Sequence, residues 1–124
     1  MKVSGAATVL PVSDVERSLR FFVDVLGFSE AFRLSKYAGV ERGGAVIHLS
    51  HHSNPNTGKP GSGGVYIFCD EVDEYYKEVV GRGANAPMAP KTYAYGMRDF
   101  VVHDPDDNRI SFGCEAQQVV DSSN

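Results

Sequence analysis

The chain contains no tryptophan, only two cysteines and no CxxC pair. The aromatic residues are seven phenylalanines and six tyrosines. The cysteines, Cys69 and Cys114, sit in separate apolar stretches, which excludes a cysteine-rich zinc site and reads as reduced, partly buried thiols. No apolar run approaches the roughly 18 residues that a membrane span needs. The N-terminal stretch Met1 to Asp14 has no uninterrupted apolar core of the signal-peptide kind, so a cytoplasmic protein is the expectation. Positive charge is also scarce: 12 Lys and Arg against 16 Asp and Glu leave a formal net charge of −4. That balance disfavours a nucleic-acid partner and mildly favours a cationic one.

What is present is periodic. Ala6 to Val12 reads as a β-strand, with Pro11 marking a sheet edge or strand end. Ser13-Asp14-Val15-Glu16 matches a capping box with serine at the cap. Val15, Leu19, Phe22, Val23 and Leu26 follow at helical spacing, and Gly27 stops the helix. Phe28 to Phe32, Ala38 to Arg42 and Ala45 to Ser50 read as three strands. His51 to Gly64 is dense in Gly, Pro, Ser and Asn and reads as a connector. The pattern then restarts. Val65 to Cys69 is a strand, Asp70 a cap, and Val72, Tyr76, Val79 and Val80 the buried stripe of a helix that Gly81 and Gly83 end. An irregular strand near Ala86 to Pro90 leads to a tyrosine-rich loop. Phe100 and Val102 then alternate with their neighbours, Asp104-Pro105-Asp106-Asp107-Asn108 turns the chain, and Ile110 and Phe112 alternate on the way back. The tail from Gln117 is expected to fray.

The two halves are in phase: Asp14 and Asp70, Val23 and Val79, and Gly27 and Gly83 are each 56 residues apart. Each half is strand, helix, then three strands, which predicts an α+β fold of tandem βαβββ modules whose curled mixed sheet surrounds a cleft. Residues 1–124 form one domain in this reading, with module 1 over about 5–52, a linker over about 53–62 and module 2 over about 63–115. Neither half could bury its sheet face alone, so the halves must pair, in one chain or with a second copy.

The order Val12-x-Asp14, Ser18, Phe21-Phe22, Leu26-Gly27-Phe28, then Asp104-Pro105-Asp106-x-Asn108 resembles the vicinal oxygen chelate superfamily. That group comprises glyoxalase I, extradiol dioxygenases, fosfomycin-resistance and bleomycin-resistance proteins. The resemblance covers residues 5–114. Phe21 to Phe28, Ala38 to Gly43, Ile47 to Ser50 and Arg98-Asp99-Phe100 resemble bleomycin-resistance proteins in particular.

The resemblance implies four metal-ligand positions, which fall on Ala7, His48, Gly64 and Ser111. Only His48 has a competent donor, since alanine and glycine have none and a neutral serine hydroxyl is a poor ligand for zinc, nickel or iron. The chain is therefore expected to lack the superfamily's metal chemistry, to need no cofactor and to have no catalytic residues. The resemblance instead implies a homodimer that sequesters a planar, cationic, antibiotic-like molecule. Phe32 and Tyr37 fall where such proteins place cleft aromatics, with Tyr66, Tyr93, Tyr95 and Phe100 joining from the second half and His48 as a residual cleft residue. One departure is Val65, where drug-binding relatives carry a tryptophan. Asp107 stands where relatives have a glycine, a place that favours positive φ.

The competing reading is a metal-dependent lyase or dioxygenase with relocated ligands drawn from His48, His51, His52 or His103; two imidazoles within about 4 Å would favour it. Against it, His51 and His52 lie in a Gly/Pro-rich loop and read as solvated, and His103 reads as a strand-end residue. Tyr75 and Tyr76 read as helix packing, and Arg98 and Asp99 as a pair with each other or with a partner chain.

Overall fold

The computed structural model describes residues 1–116; the tail from Gln117, expected to fray, lies outside them. The first half runs β1 (Thr8–Val12), α1 (Val15–Arg20) continued by a π-helical turn (Phe21–Val25), β2 (Ser29–Arg33), β3 (Tyr37–Arg42) and β4 (Ala45–His51). The second runs β5 (Gly64–Phe68), α2 (Val72–Gly81), β6 (Lys91–Thr92), β7 (Met97–His103) and β8 (Arg109–Glu115). Each half is thus βαβββ and builds a four-stranded mixed sheet, in the orders β1-β4-β3-β2 and β5-β8-β7-β6. The pairs β1–β4 and β5–β8 are parallel and the others antiparallel. Pro11 sits on β1, an edge strand, where its missing N–H costs no ladder bond on the open side. No helix among the described residues is long and apolar enough to cross a membrane.

The helix signals are displaced by one residue from their sequence-based positions. Asp14, not Ser13, is the cap of α1 and accepts from the Arg17 N–H at 3.0 Å. Ser13 is instead drawn to Asp106, as described below. Leu26 N–H reaches back five residues to the Phe21 carbonyl, which widens the last turn. Phe22 and Leu26 stay in the core while Val23 rotates outward to 37% exposure, so Val23 does not join the buried stripe. In α2 the cap is Glu71, with φ +48 and no side-chain capping bond, rather than Asp70. Val72 and Val79 are buried, Val80 is exposed, and the half-buried Tyr75 packs on Phe112. Gly27 and Gly83 end their helices with φ +78 and +95. The expected strand over Ala86 to Pro90 is reduced to a bridge between Asn85 and His103, because Pro87 and Pro90 have no N–H to offer a ladder.

Both helices bury their apolar faces in one core with the inward residues of the two sheets: Leu10, Phe22, Ile47 and Leu49 from the first half meet Val79, Phe100, Ile110 and Phe112 from the second. The joint between halves is the turn from Asp104 to Asn108. Asn108 is fully buried; its Nδ2 donates to the Pro11 carbonyl at 2.8 Å and to Asp104 Oδ2 at 2.9 Å, and its Oδ1 accepts from Gly63 N–H at 2.9 Å. Asp104 Oδ1 accepts from the N–H groups of Asp106 and Asn108. Burial raises the Asp104 carboxyl pKa, against the lowering pull of those bonds. Asp106 reaches back to Ser13, through both its N–H and its hydroxyl, and to Arg17 at 3.1 Å. Asp107 has φ +72, the conformation its glycine-like position called for.

Replacing Asn108 by alanine would leave the Pro11 carbonyl, the Gly63 N–H and one Asp104 oxygen without partners. The expected loss is about 3 kcal/mol, from unsatisfied buried groups that each cost on the order of 1–3 kcal/mol. Urea denaturation reads it directly, and a loss under about 1 kcal/mol would show that the joint lies elsewhere.

Candidate binding faces and cavity

Alternation decides what the helix-free face of the first sheet carries. Ile47 and Leu49 point to the core, so Val46 and His48 point away from it. Register places Val9, His48, Gly39 and Phe32 in one row across the four strands. Gly39 leaves a gap in that row and the Phe32 ring lies over it, so closely that a Cβ at Gly39 would collide with the ring. Phe32 stacks with Tyr37 at 6.1 Å between centroids and 14° between planes. His48 stands edge-on to both rings, 5.2 Å from Phe32 and 5.3 Å from Tyr37. The Tyr37 hydroxyl and His48 Nδ1 share a hydrogen bond of 2.9 Å. The three residues expected from the first half therefore form one cluster, with Phe32 37% exposed.

The second sheet repeats the device. Tyr66 lies across Gly113, where a Cβ would again collide with the ring. Its hydroxyl donates to Asp99 Oδ2 at 2.8 Å, and the Tyr95 hydroxyl donates to the same oxygen at 2.7 Å. Asp99 is only 7% exposed. Tyr93 and Tyr95 stack in parallel, 5.2 Å apart with 6° between planes. Burial, then the Asp99 bond, raises the Tyr66 phenol well above its ordinary value; the Asp99 bond chiefly pushes Tyr95 up to about 12. Asp99 pairs with these tyrosines and not with Arg98, which turns to Asp73 at 2.7 Å.

Phe100 is not part of either face. It is 3% exposed and packs with Phe112, Tyr75 and Tyr76 on the helix side of the sheet. One residue of register separates Asp99 from Phe100, and that residue sends the ring to the core. Among the described residues, no hydrogen bond or aromatic pair joins the Phe32 cluster to the tyrosine cluster.

A cavity of about 710 Å³ opens between the starts of β1 and β4 on one side and β5 with the start of α2 on the other. Val46, Ile47, Ile67, Phe68 and Phe112 give it an apolar floor, and Asp70, Glu71, Glu74 and Glu78 face it with a single cation, Arg42. Arg42 donates to the Leu26 carbonyl at 2.9 Å and lies over the Tyr75 ring. Among the described residues, Asp70, Glu71 and Glu74 form no ion pair; Glu78 is bound to Arg82. Of the seven expected site residues, Tyr66 alone lines this cavity; Tyr93 and Phe100 border a smaller one of about 200 Å³. Phe68, 78% exposed, was missed although it follows Tyr66 by two residues and so shares its face. Of the carboxylates at the start of α2 the sequence marked Asp70 as a cap, but nothing local marked the group as cavity lining.

The fold raises the question of a metal, and the donor set answers it. At the four corresponding places Ala7 and Gly64 have no donor, Ser111 has a neutral hydroxyl, and His48 is engaged with Tyr37. These residues do not fit a divalent ion. The His51 and His52 rings lie 4.3 Å apart, close to the spacing that favours relocated ligands, yet His51 Nδ1 is bonded to Ser53 and no group of three or more His, Cys, Asp or Glu converges there among the described residues. His103 stands 3.8 Å from Asp107, remote in sequence from both.

Comparison with known proteins agrees with the architecture. The sequence profile of the glyoxalase/bleomycin resistance protein/dioxygenase superfamily matches residues 6–112. The chain is 31% identical to the bleomycin resistance protein of Geobacillus stearothermophilus over 119 residues, covering 83% of this chain and 90% of that protein; a Staphylococcus aureus bleomycin resistance protein matches equally. Among solved structures, a superfamily member from Sphaerobacter thermophilus superposes with a TM-score of 0.80 at 26% identity, over 93% of this chain and 99% of that one. The bleomycin-binding protein of Streptomyces verticillus, solved with copper(II)-bleomycin, gives 0.74 at 27% identity, over 94% and 99%.

The Asp99 bond is the main cause of the raised Tyr95 pKa, so Asp99→Asn should return Tyr95 from about 12 toward an ordinary tyrosine value near about 10. The sign follows from a folded pKa raised above the unfolded one: the Tyr95–Asp99 contribution is complete below about pH 10 and is lost as pH rises toward about 12. Phenolate absorbance during an alkaline titration measures this. An unchanged Tyr95 titration in the variant would show that Asp99 is not the cause.

Proposed function

This chain belongs to the glyoxalase/bleomycin resistance protein/dioxygenase superfamily, and from that premise we propose that it is a metal-independent binding protein that sequesters a planar, cationic, antibiotic-like molecule. The observation that carries the reading is the open aromatic cluster of Phe32, Tyr37 and His48, in which His48, the one competent donor of the four metal positions that the resemblance implies, is instead packed against two rings. Flat rings stack on such a surface, each aromatic contact adding about 0.5–1.5 kcal/mol beyond the area it covers. The cavity supplies the complementary charge. Its size lies within the roughly 300–1,000 Å³ of small-molecule sites, and its carboxylates outnumber its one cation.

The working unit in this proposal is a homodimer in the cytoplasm. Val9, Phe32, Val46, Tyr66 and Phe68 are exposed on the helix-free faces of the two sheets, an apolar load that favours cover by a second copy. A cleft shared between copies would bring the Phe32 cluster of one chain toward the tyrosines of the other. No bond is made or broken, so binding alone is the activity.

Calorimetric titration with bleomycin and with other planar cationic compounds tests the proposal, alongside metal analysis and sedimentation of the purified protein. We expect one of these compounds to bind without stoichiometric metal, and Phe32→Ala to weaken that binding about tenfold, the equivalent of about 1.4 kcal/mol. The Phe32 ring also covers Gly39 and packs on Tyr37, so the variant should melt a few degrees lower while staying folded at the titration temperature, which its melting curve checks. Stoichiometric divalent metal in the protein as isolated, with no affinity for any such cation, would overturn the reading.

A further inference from the structure

The upper ends of β5 and β8 bring the two thiols of the chain together. Val65 lies opposite Ile110, Ile67 opposite Phe112 and Phe68 opposite Gly113, and the Cys69 N–H continues the ladder to the Gly113 carbonyl at 2.9 Å. One further step of the same register sets Cys69 opposite Cys114. Residues paired in this way point to the same face of a sheet, here the helix side, where both cysteines pack half-buried against the core. Neighbouring strands lie about 4.8 Å apart. That lies inside the roughly 4.4–6.8 Å that Cα atoms joined by a disulfide span. Both thiols are free, and Cys69 also lines the large cavity, which gives a small oxidant a path to it. Burial first and Cys114 next raise the Cys69 thiol pKa, so the two groups are within electrostatic reach of each other.

We propose that Cys69 and Cys114 form a cross-strand dithiol, a modification site that closes to an intramolecular disulfide by exchange with a low-molecular-weight disulfide such as oxidised glutathione. The Cys69 thiolate attacks one sulfur of the reagent, its S–S bond breaks, and the first glutathione leaves as thiolate and takes up the proton lost by Cys69. The Cys114 thiolate then attacks Cys69 Sγ in the mixed disulfide and releases the second glutathione, which takes the proton lost by Cys114. Two protein thiols are oxidised and one reagent disulfide is reduced to two thiols. The new bond fastens the end of β5, an edge strand and a wall of the cavity, to the central strand β8. This inference rests on the strand register and stands whether or not the cavity binds a cation.

The test is to treat the reduced full-length chain with oxidised glutathione under native conditions, quench by alkylation, and read intact mass and peptide map. The expected product is about 2 Da lighter than the reduced chain, refuses alkylation, and yields a peptide cross-linked through Cys69 and Cys114. Cys69→Ser and Cys114→Ser should each stop at a mixed disulfide carrying one glutathione. In denaturant the wild-type cross-link should form at least tenfold more slowly, because the register that pairs the thiols is gone. The proposal is overturned if the native wild-type chain keeps two alkylatable thiols, halts at mixed disulfides, cross-links between chains, or closes as fast in denaturant.

Discussion

One buried side-chain amide holds the two halves of this protein in place. Asn108 offers its nitrogen to the last turn of module 2 and to the β1 backbone of module 1, and its oxygen to the chain entering β5. Each of these partners would otherwise be a buried polar group without a bond, so the three strand ends can meet without penalty only around this amide. The approach is close enough that Gly63 has no room for a side chain: a Cβ there would lie 2.9–3.1 Å from Pro11, Leu10 and Asn108. Outside the buried joint, Ser13 and Arg17 close on Asp106 and tie the start of α1 to the same turn. The acidic turn is therefore a hairpin tip and an inter-module latch together.

With the halves latched, the surfaces opposite the helices follow from two glycines. Gly39 and Gly113 sit in strand interiors, where glycine ordinarily weakens a sheet. Each is covered by a ring from a neighbouring strand, Phe32 over Gly39 and Tyr66 over Gly113. A side chain at either place would lift the ring away and change the shape of the face. The missing side chains thus lay two aromatic rings flat against the sheet, with further rings ranged around them. Flat rings beside glycine, alanine and serine make a surface suited to stacking.

Much of this was legible in the sequence because it is local and periodic. Two βαβββ halves and the helix ends at Gly27 and Gly83 follow from patterns a few residues wide, while the positive φ of Asp107 was legible through the resemblance. The clustering of Phe32, Tyr37 and His48 was legible through a resemblance, not through spacing. What escaped depends on partners far away in the chain. Ser13 looks like a cap until Asp106, 93 residues on, claims it. Phe100 looks like a cleft aromatic until the β7–β8 register points it at α2. Val23 fits the helical stripe until a π turn, which leaves no mark in hydrophobic spacing, rotates it away. The link from Asn108 to Pro11 spans 97 residues, and no window along the sequence contains it.

The charge of the large cavity also has a cause in the fold. The start of α2 borders the cavity, and a helix start carries unsatisfied N–H groups and the positive end of the helix dipole, which by themselves attract anions. Asp73 and Glu74 lie in that first turn, Asp70 and Glu71 just before it, and Glu71 adopts a left-handed backbone to begin the helix. Carboxylates so placed are stabilised by the dipole by about 0.3–1 kcal/mol each at low ionic strength. Asp73 takes Arg98, which leaves Asp70, Glu71 and Glu74 facing the cavity with their charge uncancelled. The helix start therefore serves as a support for negative charge and not as an anion site. Set above an apolar floor, that charge is the complement that the proposed cationic ligand requires.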